Sequence, residues 1–310
     1  MAQSVRDAIA KYGAELEDSV VSTMPKDLKY IVSQIKSIIE TYRNSDISTI
    51  ITNISNIKNI NELMRYIIIL TYLVSYSRVK TDELLENYPQ AFESTGGEIS
   101  ASKLRSLLLS SSNNKIDNIN IHVNKLINII ESIENKGGTY IWILKEKRIE
   151  KFEEDIRRFI FNNDGGNSID RGIKLFLRIF IDRNNIPLAY RIAYNKEEVR
   201  KYRIHGDFYT TLVTLRSGAF EDVKTPSAEK LKQRIAKMLL CRSRDRRCGE
   251  LKVRLGSVRG LVRSVAYLSG EPVSYERGAY HIGKNYCAKL KCDQCPIRDV
   301  CKKYIFIQVK

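Results

Sequence analysis

Apolar positions along the first 95 residues recur at helical spacing rather than in alternation. In DLKYIVSQIKSIIETYRN, Leu28, Ile31, Ile35, Ile38 and Ile39 fall on one stripe of a 3.6-residue repeat. Polar breaks such as RNSD and TNISN separate these runs, because Asn and Ser offer the backbone hydrogen bonds that compete with a helix. The most apolar run, LMRYIIILTYLVSY at 63–76, is shorter than the roughly 20 residues of a membrane span and contains Arg65, so it predicts a buried helix. At 93–102, ESTGGEISAS combines Gly-Gly with Ser and Thr and predicts a loop and a domain boundary. Helical period then returns in SKLRSLLLSSS, NIHVNKLINIIESIEN and KRIEKFEEDIRRFIFN, divided by SNNKIDN and NKGGTY. Strand-like alternation is scarce and prolines number six, which predicts a mainly α class.

Length adds a division into domains. At 310 residues the chain exceeds the size at which one core stops growing, about 250–300 residues. The expected organisation is a helical region over 1–95, with no evident chemistry, and a second region over 96–310. Nothing at the start reads as a charged segment followed by an apolar stretch and a cleavage site, so the expected location is intracellular, with no membrane partner.

Charge changes the picture further. A formal net charge of +16 fits a polyanionic partner, since Lys and Arg that neutralise phosphates release counterions. A basic surface kept for solubility is the plainer alternative. The densest basic stretch, 228–263, carries twelve Lys or Arg against three acids and includes Arg242, Arg244, Arg246 and Arg247. It reads either as a solvated helix face or as a phosphate-binding face, with Gly249, Gly256 and Gly260 permitting close backbone approach.

Chemistry enters with cysteine. Four of the six cysteines lie in CAKLKCDQCPIRDVC at 287–301, as Cys287, Cys292, Cys295 and Cys301, with Pro296 after the third. Four thiolates from one short loop suit a [4Fe-4S] cluster or a zinc ion. One compact, unevenly spaced loop favours the cluster, because zinc sites more often pair two knuckles a dozen or more residues apart. The remaining two, Cys241 and Cys248, read as a second half-site, a disulfide or free thiols, with free thiols the plainest expectation.

The stretch AYHIGKNYCAKLKCDQCPIRDVCKKY resembles the C-terminal end of the helix-hairpin-helix DNA glycosylases of the endonuclease III type. In that family a helix passes through a short basic turn into the first cysteine, a place filled here by His281, Gly283 and Lys284. The first gap, four residues, is shorter than the family's. The resemblance implies a two-domain helical glycosylase fold, a structural [4Fe-4S] loop, and double-stranded DNA as partner. It also implies that basic side chains such as Lys284, Lys289, Lys291, Arg298, Lys302 and Lys303 meet phosphates.

Upstream, YRIHGDFYTTLVTLRSGAFE at 202–221 is similar to the family's catalytic helix, with Asp207 in the aspartate position and TLRSGAF like its Arg-x-Gly end. A carboxylate there could stabilise developing oxocarbenium charge or activate water beside an extruded nucleotide. As a plain helix start, Asp207 would instead accept from the amide of Tyr209 or Thr210. His205 is a candidate to orient a base or phosphate. The hairpin stretch DGGNSIDRGIKLFLRIFI at 164–181 departs from the family: no lysine lies between Gly165 and Ile173, and Arg171 or Asp170 takes that place.

A guanidinium stays protonated and cannot form the Schiff base that strand scission requires, so a monofunctional enzyme is expected unless Lys174 or Lys201 substitutes. Arg171 and Lys174 are candidates for DNA contact. Tyr140 and Trp142 are either a base-stacking wedge or core. Two alternatives accompany this reading. One is a DNA-binding protein of the same fold without catalysis. The other is a RecB-like iron-sulfur nuclease, for which Glu221, Asp222 and Lys224 of EDVK offer a fragment.

Overall fold

A computed structural model describes residues 2–17, 19–135, 137–162, 167–243 and 248–310. The class is mainly α, with 68% of residues helical. The chain forms two compact units, one of residues 17–199 and one joining residues 1–16 to 200–310. The first helix, α1 (Ala2–Glu15), thus belongs with the C-terminal third of the sequence.

The unit of residues 17–199 contains α2 (Ser19–Thr23), α3 (Lys26–Tyr42), α4 (Ile47–Ser55), α5 (Ile60–Tyr76), α6 (Thr81–Glu93), α7 (Ala101–Ser111), α8 (Ile119–Glu134), α9 (Thr139–Lys145), α10 (Ile149–Phe161), α11 (Asn167–Ile181) and α12 (Tyr190–Ala193), with α13 (Lys196–Arg200) at its end. Its axis is α5, the apolar run, whose residues from Leu63 to Ser75 are buried except Arg65. Arg65 reaches Glu134 at 2.6 Å, which gives the single charge in that run a partner. Gly172 lets α11 press on α5, since a Cβ there would stand 1.9 Å from Ser75 Oγ and 2.7 Å from the Thr71 carbonyl.

Residues 94–100 form a loop between α6 and α7, with Gly96 and Gly97 at φ 64° and 73°. It is a turn inside this unit, so the boundary expected at 95/96 is corrected to 16/17 and 199/200. Tyr140 is 8% exposed and belongs to the core, while Trp142 is half-buried and packs among Phe152, Phe159 and Phe176.

The other unit holds α1, α14 (Phe208–Ser217), α15 (Pro226–Arg242), α16 (Leu255–Leu268), α17 (Pro272–Ile282) and a parallel strand pair, β1 (Leu251–Val253) with β2 (Ile307–Val309). What recruits α1 is a glycine crossing. A Cβ on Gly13 would lie 1.9 Å from the Ser274 carbonyl, and one on Gly278 would lie 2.2 Å from the Ile9 carbonyl, so α1 and α17 meet backbone to backbone. Arg6, 2% exposed, adds a two-oxygen grip on Asp222 at 2.5 and 2.7 Å and a bond to the Ala219 carbonyl at 3.0 Å. Among the described residues no helix is long and apolar enough to cross a membrane.

Candidate functional site

Helix α14 organises the candidate site. Every residue from Thr210 to Ser217 is buried, and α17, α16 and β2 pack around it. At its head Asp207 is the N-cap, and its Oδ1 accepts from the Thr210 amide at 2.8 Å. Gly206, at φ 68°, makes the turn into the cap with its Cα facing Arg259 and Val262 of α16. Behind this turn lies Glu276 of α17, 4% exposed, which accepts from the His205 amide at 3.1 Å and from the Tyr202 hydroxyl at 2.9 Å.

These surroundings decide the proton affinity of Asp207. Burial pushes its carboxyl above the ordinary value, the Thr210 amide pulls the other way, the Glu276 carboxylate adds to the rise and His205 opposes it. The net direction is upward, so burial and like charge outweigh the helix-start amides. A carboxylate of raised basicity, partly open to solvent beside the exposed Phe208 ring, can accept a proton from water or face a developing cation.

At the foot of α14, roughly 15 Å away at 1.5 Å per residue, stands Arg216, 5% exposed. Its guanidinium donates to the Ile307 carbonyl at 2.9 Å and the Cys287 carbonyl at 2.8 Å, and lies 4.0 Å from Cys287 Sγ. The amides of Lys302 and Tyr304 bond back to the Ser217 and Arg216 carbonyls, at 3.1 and 2.9 Å. The cysteine loop is therefore built onto the C-terminal end of the helix that Asp207 begins. A π-helical turn, Gly283–Cys287, extends α17 into the loop. It needs Gly283, because a Cβ there would meet the Tyr209 carbonyl at 2.6 Å.

Cys287, Cys292, Cys295 and Cys301 are free thiols that line one cavity, closed by Val213, Ile282, Tyr286 and Ile297. Burial pushes Cys287 up to about 11 despite Arg216, and pushes Cys295 and Cys301 upward as well. Among the described residues no three His, Cys, Asp or Glu side chains are drawn together as ligands of one metal ion. The donor set nevertheless fits a thiolate-held group. A backbone amide points at Cys301 Sγ at 3.4 Å, a second amide favours the Cys295 thiolate, and Arg216 faces Cys287. Such donors stabilise a thiolate more than a neutral thiol, whose sulfur is a weak acceptor. Leu290 and Lys303 hold left-handed backbone at φ 55° and 54°, conformations that cost residues with a Cβ about 1 kcal/mol or more each.

The expected basic contacts divide. Lys289 and Lys291 are exposed on the cysteine loop, as are Arg298 and Lys303, while Lys284 and His205 are half-buried. Arg242 lies over the Phe306 ring at 4.9 Å. Arg244, Arg246 and Arg247 lie outside the described residues, as does the hairpin turn with Gly165.

Two expected DNA contacts are corrected. Lys174 is 3% exposed and pairs with Glu153 at 2.7 Å, and the Arg171 guanidinium is turned inward to the Val74 and Ser77 carbonyls at the end of α5. Both are consumed by packing of α11. Cys241 and Cys248 are corrected from free thiols to a disulfide, as the end of α15 and the segment before β1 bring their Cα atoms to 6.1 Å. Glu276 escaped sequence reasoning because its distance from Asp207 in the chain gives no local signal. Arg216 stood only inside the TLRSGAF resemblance, without a role.

No protein-family model, no curated protein and no solved structure matches this chain.

Proposed function

We propose that the chain is a monofunctional DNA glycosylase of the helix-hairpin-helix kind, with Asp207 acting at the sugar of an extruded nucleotide and a [4Fe-4S] cluster held by Cys287, Cys292, Cys295 and Cys301. The observation that carries this reading is the two-ended helix α14: a carboxylate of raised basicity caps its head, and a cavity lined by four thiols lies at its foot.

In the reaction, the N-glycosidic bond breaks and the base leaves with its bonding pair, taking up a proton. The oxygen of a water molecule bonds to C1′, and Asp207 accepts the proton that water gives up. The negative charge of Asp207 also faces the cationic sugar that forms as the bond opens. The cluster, when bound, supplies four metal–thiolate bonds that fold a loop too short to have a core. That loop offers Lys289, Lys291, Arg298 and Lys303 to phosphates, in keeping with the net charge of +16. A zinc ion is the alternative occupant, one that requires the four sulfurs to converge on a single centre.

Of the two candidate Schiff-base lysines, Lys174 is unsuited to lyase chemistry. Its amine is buried and paired with Glu153 at 2.7 Å, so it does not face a substrate as a Schiff-base nucleophile would.

A second reading, DNA binding without catalysis, is favoured by the hydrogen bond that already employs Asp207 as a helix cap. The nuclease reading is disfavoured because Asp222 is paired with Arg6 and Glu221 is bonded to the Tyr304 hydroxyl, and among the described residues no carboxylates gather as ligands of a metal. The test is a panel of duplexes, each carrying one altered or mismatched base: uracil, 8-oxoguanine, thymine opposite guanine, or an N-alkylated purine. At least one should acquire a site cleaved only after alkali. Duplex binding with no released base across the panel would favour the second reading, and cleavage without alkali would contradict a monofunctional enzyme.

A further inference from the structure

Glu276 is a buried acid that the proposed chemistry does not consume. Its two carboxylate oxygens are held separately, Oε1 by the His205 amide at 3.1 Å and Oε2 by the Tyr202 hydroxyl at 2.9 Å. Both donors lie on the short segment that delivers Asp207 to the head of α14. Only Gly206, in left-handed backbone, separates the bonded His205 amide from Asp207. One carboxylate with two fixed donors therefore ties that segment to α17 at two points.

We propose that Glu276 is a positioning residue for Asp207, acting through the His205 amide and through its own negative charge. The inference deepens the glycosylase reading and takes its catalytic meaning from it. A second negative charge near a buried acid penalises ionisation, so Glu276 and Asp207 together hold a carboxylate readier to take a proton than an ordinary aspartate. The charged neighbours on the other elements act on the same segment. His205 opposes Glu276. From α16, Arg263 donates to the Ile204 carbonyl at 3.0 Å, and the Arg259 stem lies beside Gly206. Arg277, next to Glu276 on α17, gives a hydrogen bond to the Leu16 carbonyl instead. Of these groups, only Glu276 both bonds the segment and adds negative charge to it.

The test is a carboxyl-carbon NMR titration of the full chain, assigned by substitution. Asp207 should titrate above the ordinary carboxylate range in the wild type. Glu276→Gln should lower its midpoint by about one pH unit or more, a tenfold loss of proton affinity, while Glu276→Asp, which keeps the charge, should lower it less. Where the Gln variant does not fold, the smaller lowering of the Asp207 midpoint in Glu276→Asp serves instead. An Asp207 midpoint unmoved by Glu276→Gln, or by Glu276→Asp where only that variant folds, overturns the proposal.

Base release, followed in parallel on the duplex panel, separates the two claims. If the midpoints move and no base is released, the coupling stands and the glycosylase reading falls. If base release depends on Asp207 and the midpoints do not move, the reverse holds. Where both stand, the acid limb of kcat/KM should shift with the Asp207 midpoint in Glu276→Gln.

Discussion

At the scale of single residues, two charged side chains on α14 have unlike duties. Asp207 is tuned by its surroundings, whereas Arg216 ties three segments together. Removing Arg216 leaves the Ile307 and Cys287 carbonyls without their donor, so Arg216→Ala should cost roughly 2–4 kcal/mol in urea unfolding. Arg216→Lys should recover only part of this, because an ammonium cannot reproduce the guanidinium fork that bonds both carbonyls. Glu146 provides a separate check in the other unit. Burial, then Asp155, pushes its carboxyl up to about 7. A raised carboxyl binds protons more tightly in the folded state, so its contribution to stability is fully present below the ordinary value and is lost as pH rises through about 7. Thermal melts of wild type and Glu146→Gln should therefore diverge with increasing pH, the wild type losing ground. A constant difference between the two would contradict that assignment.

At the scale of elements, what the sequence revealed depended on whether a signal was local. The stripe on α3, the buried α5, the N-cap at Asp207 and the clustered thiols were legible, because each is written in neighbouring or i, i+4 positions. The partnership of α1 with α17 was not. It rests on Gly13 and Gly278, two glycines far apart in sequence whose significance lies in lacking a Cβ at one crossing. Lys174 misled for a related reason. A lysine on a helix ordinarily reads as solvent-facing, and only the fold brings Glu153 against it. The glycine crossing makes a sharp prediction. In Gly278→Ala the new methyl meets the Ile9 carbonyl, so α1 must shift, at a cost of about 2 kcal/mol or more. Hydrogen exchange over residues 2–15 should rise in this variant. Unchanged protection there would mean that α1 is not held by this contact.

At the scale of the whole molecule, one unit is assembled from both ends of the chain and contains the candidate carboxylate and all four thiols. Interruption of a unit by an insertion of nearly two hundred residues leaves no mark in composition, which is why the loop at 93–102 resembled a boundary and the true divisions did not. Net charge, by contrast, is a property of the whole sequence and predicts behaviour directly. If DNA is the partner, as proposed, duplex affinity should fall linearly on a log–log plot against salt, with a slope set by the number of phosphates neutralised. Anaerobic purification should yield about four iron and four sulfide per chain if the cavity holds a cluster; one zinc and no iron would assign the thiols to a single ion. The most direct test of the central claim is single-turnover base release by Asp207→Asn on whichever duplex the wild type processes, measured beside its duplex affinity. The account predicts excision at least about 100-fold slower, with affinity within about threefold of wild type. Excision at the wild-type rate would contradict it.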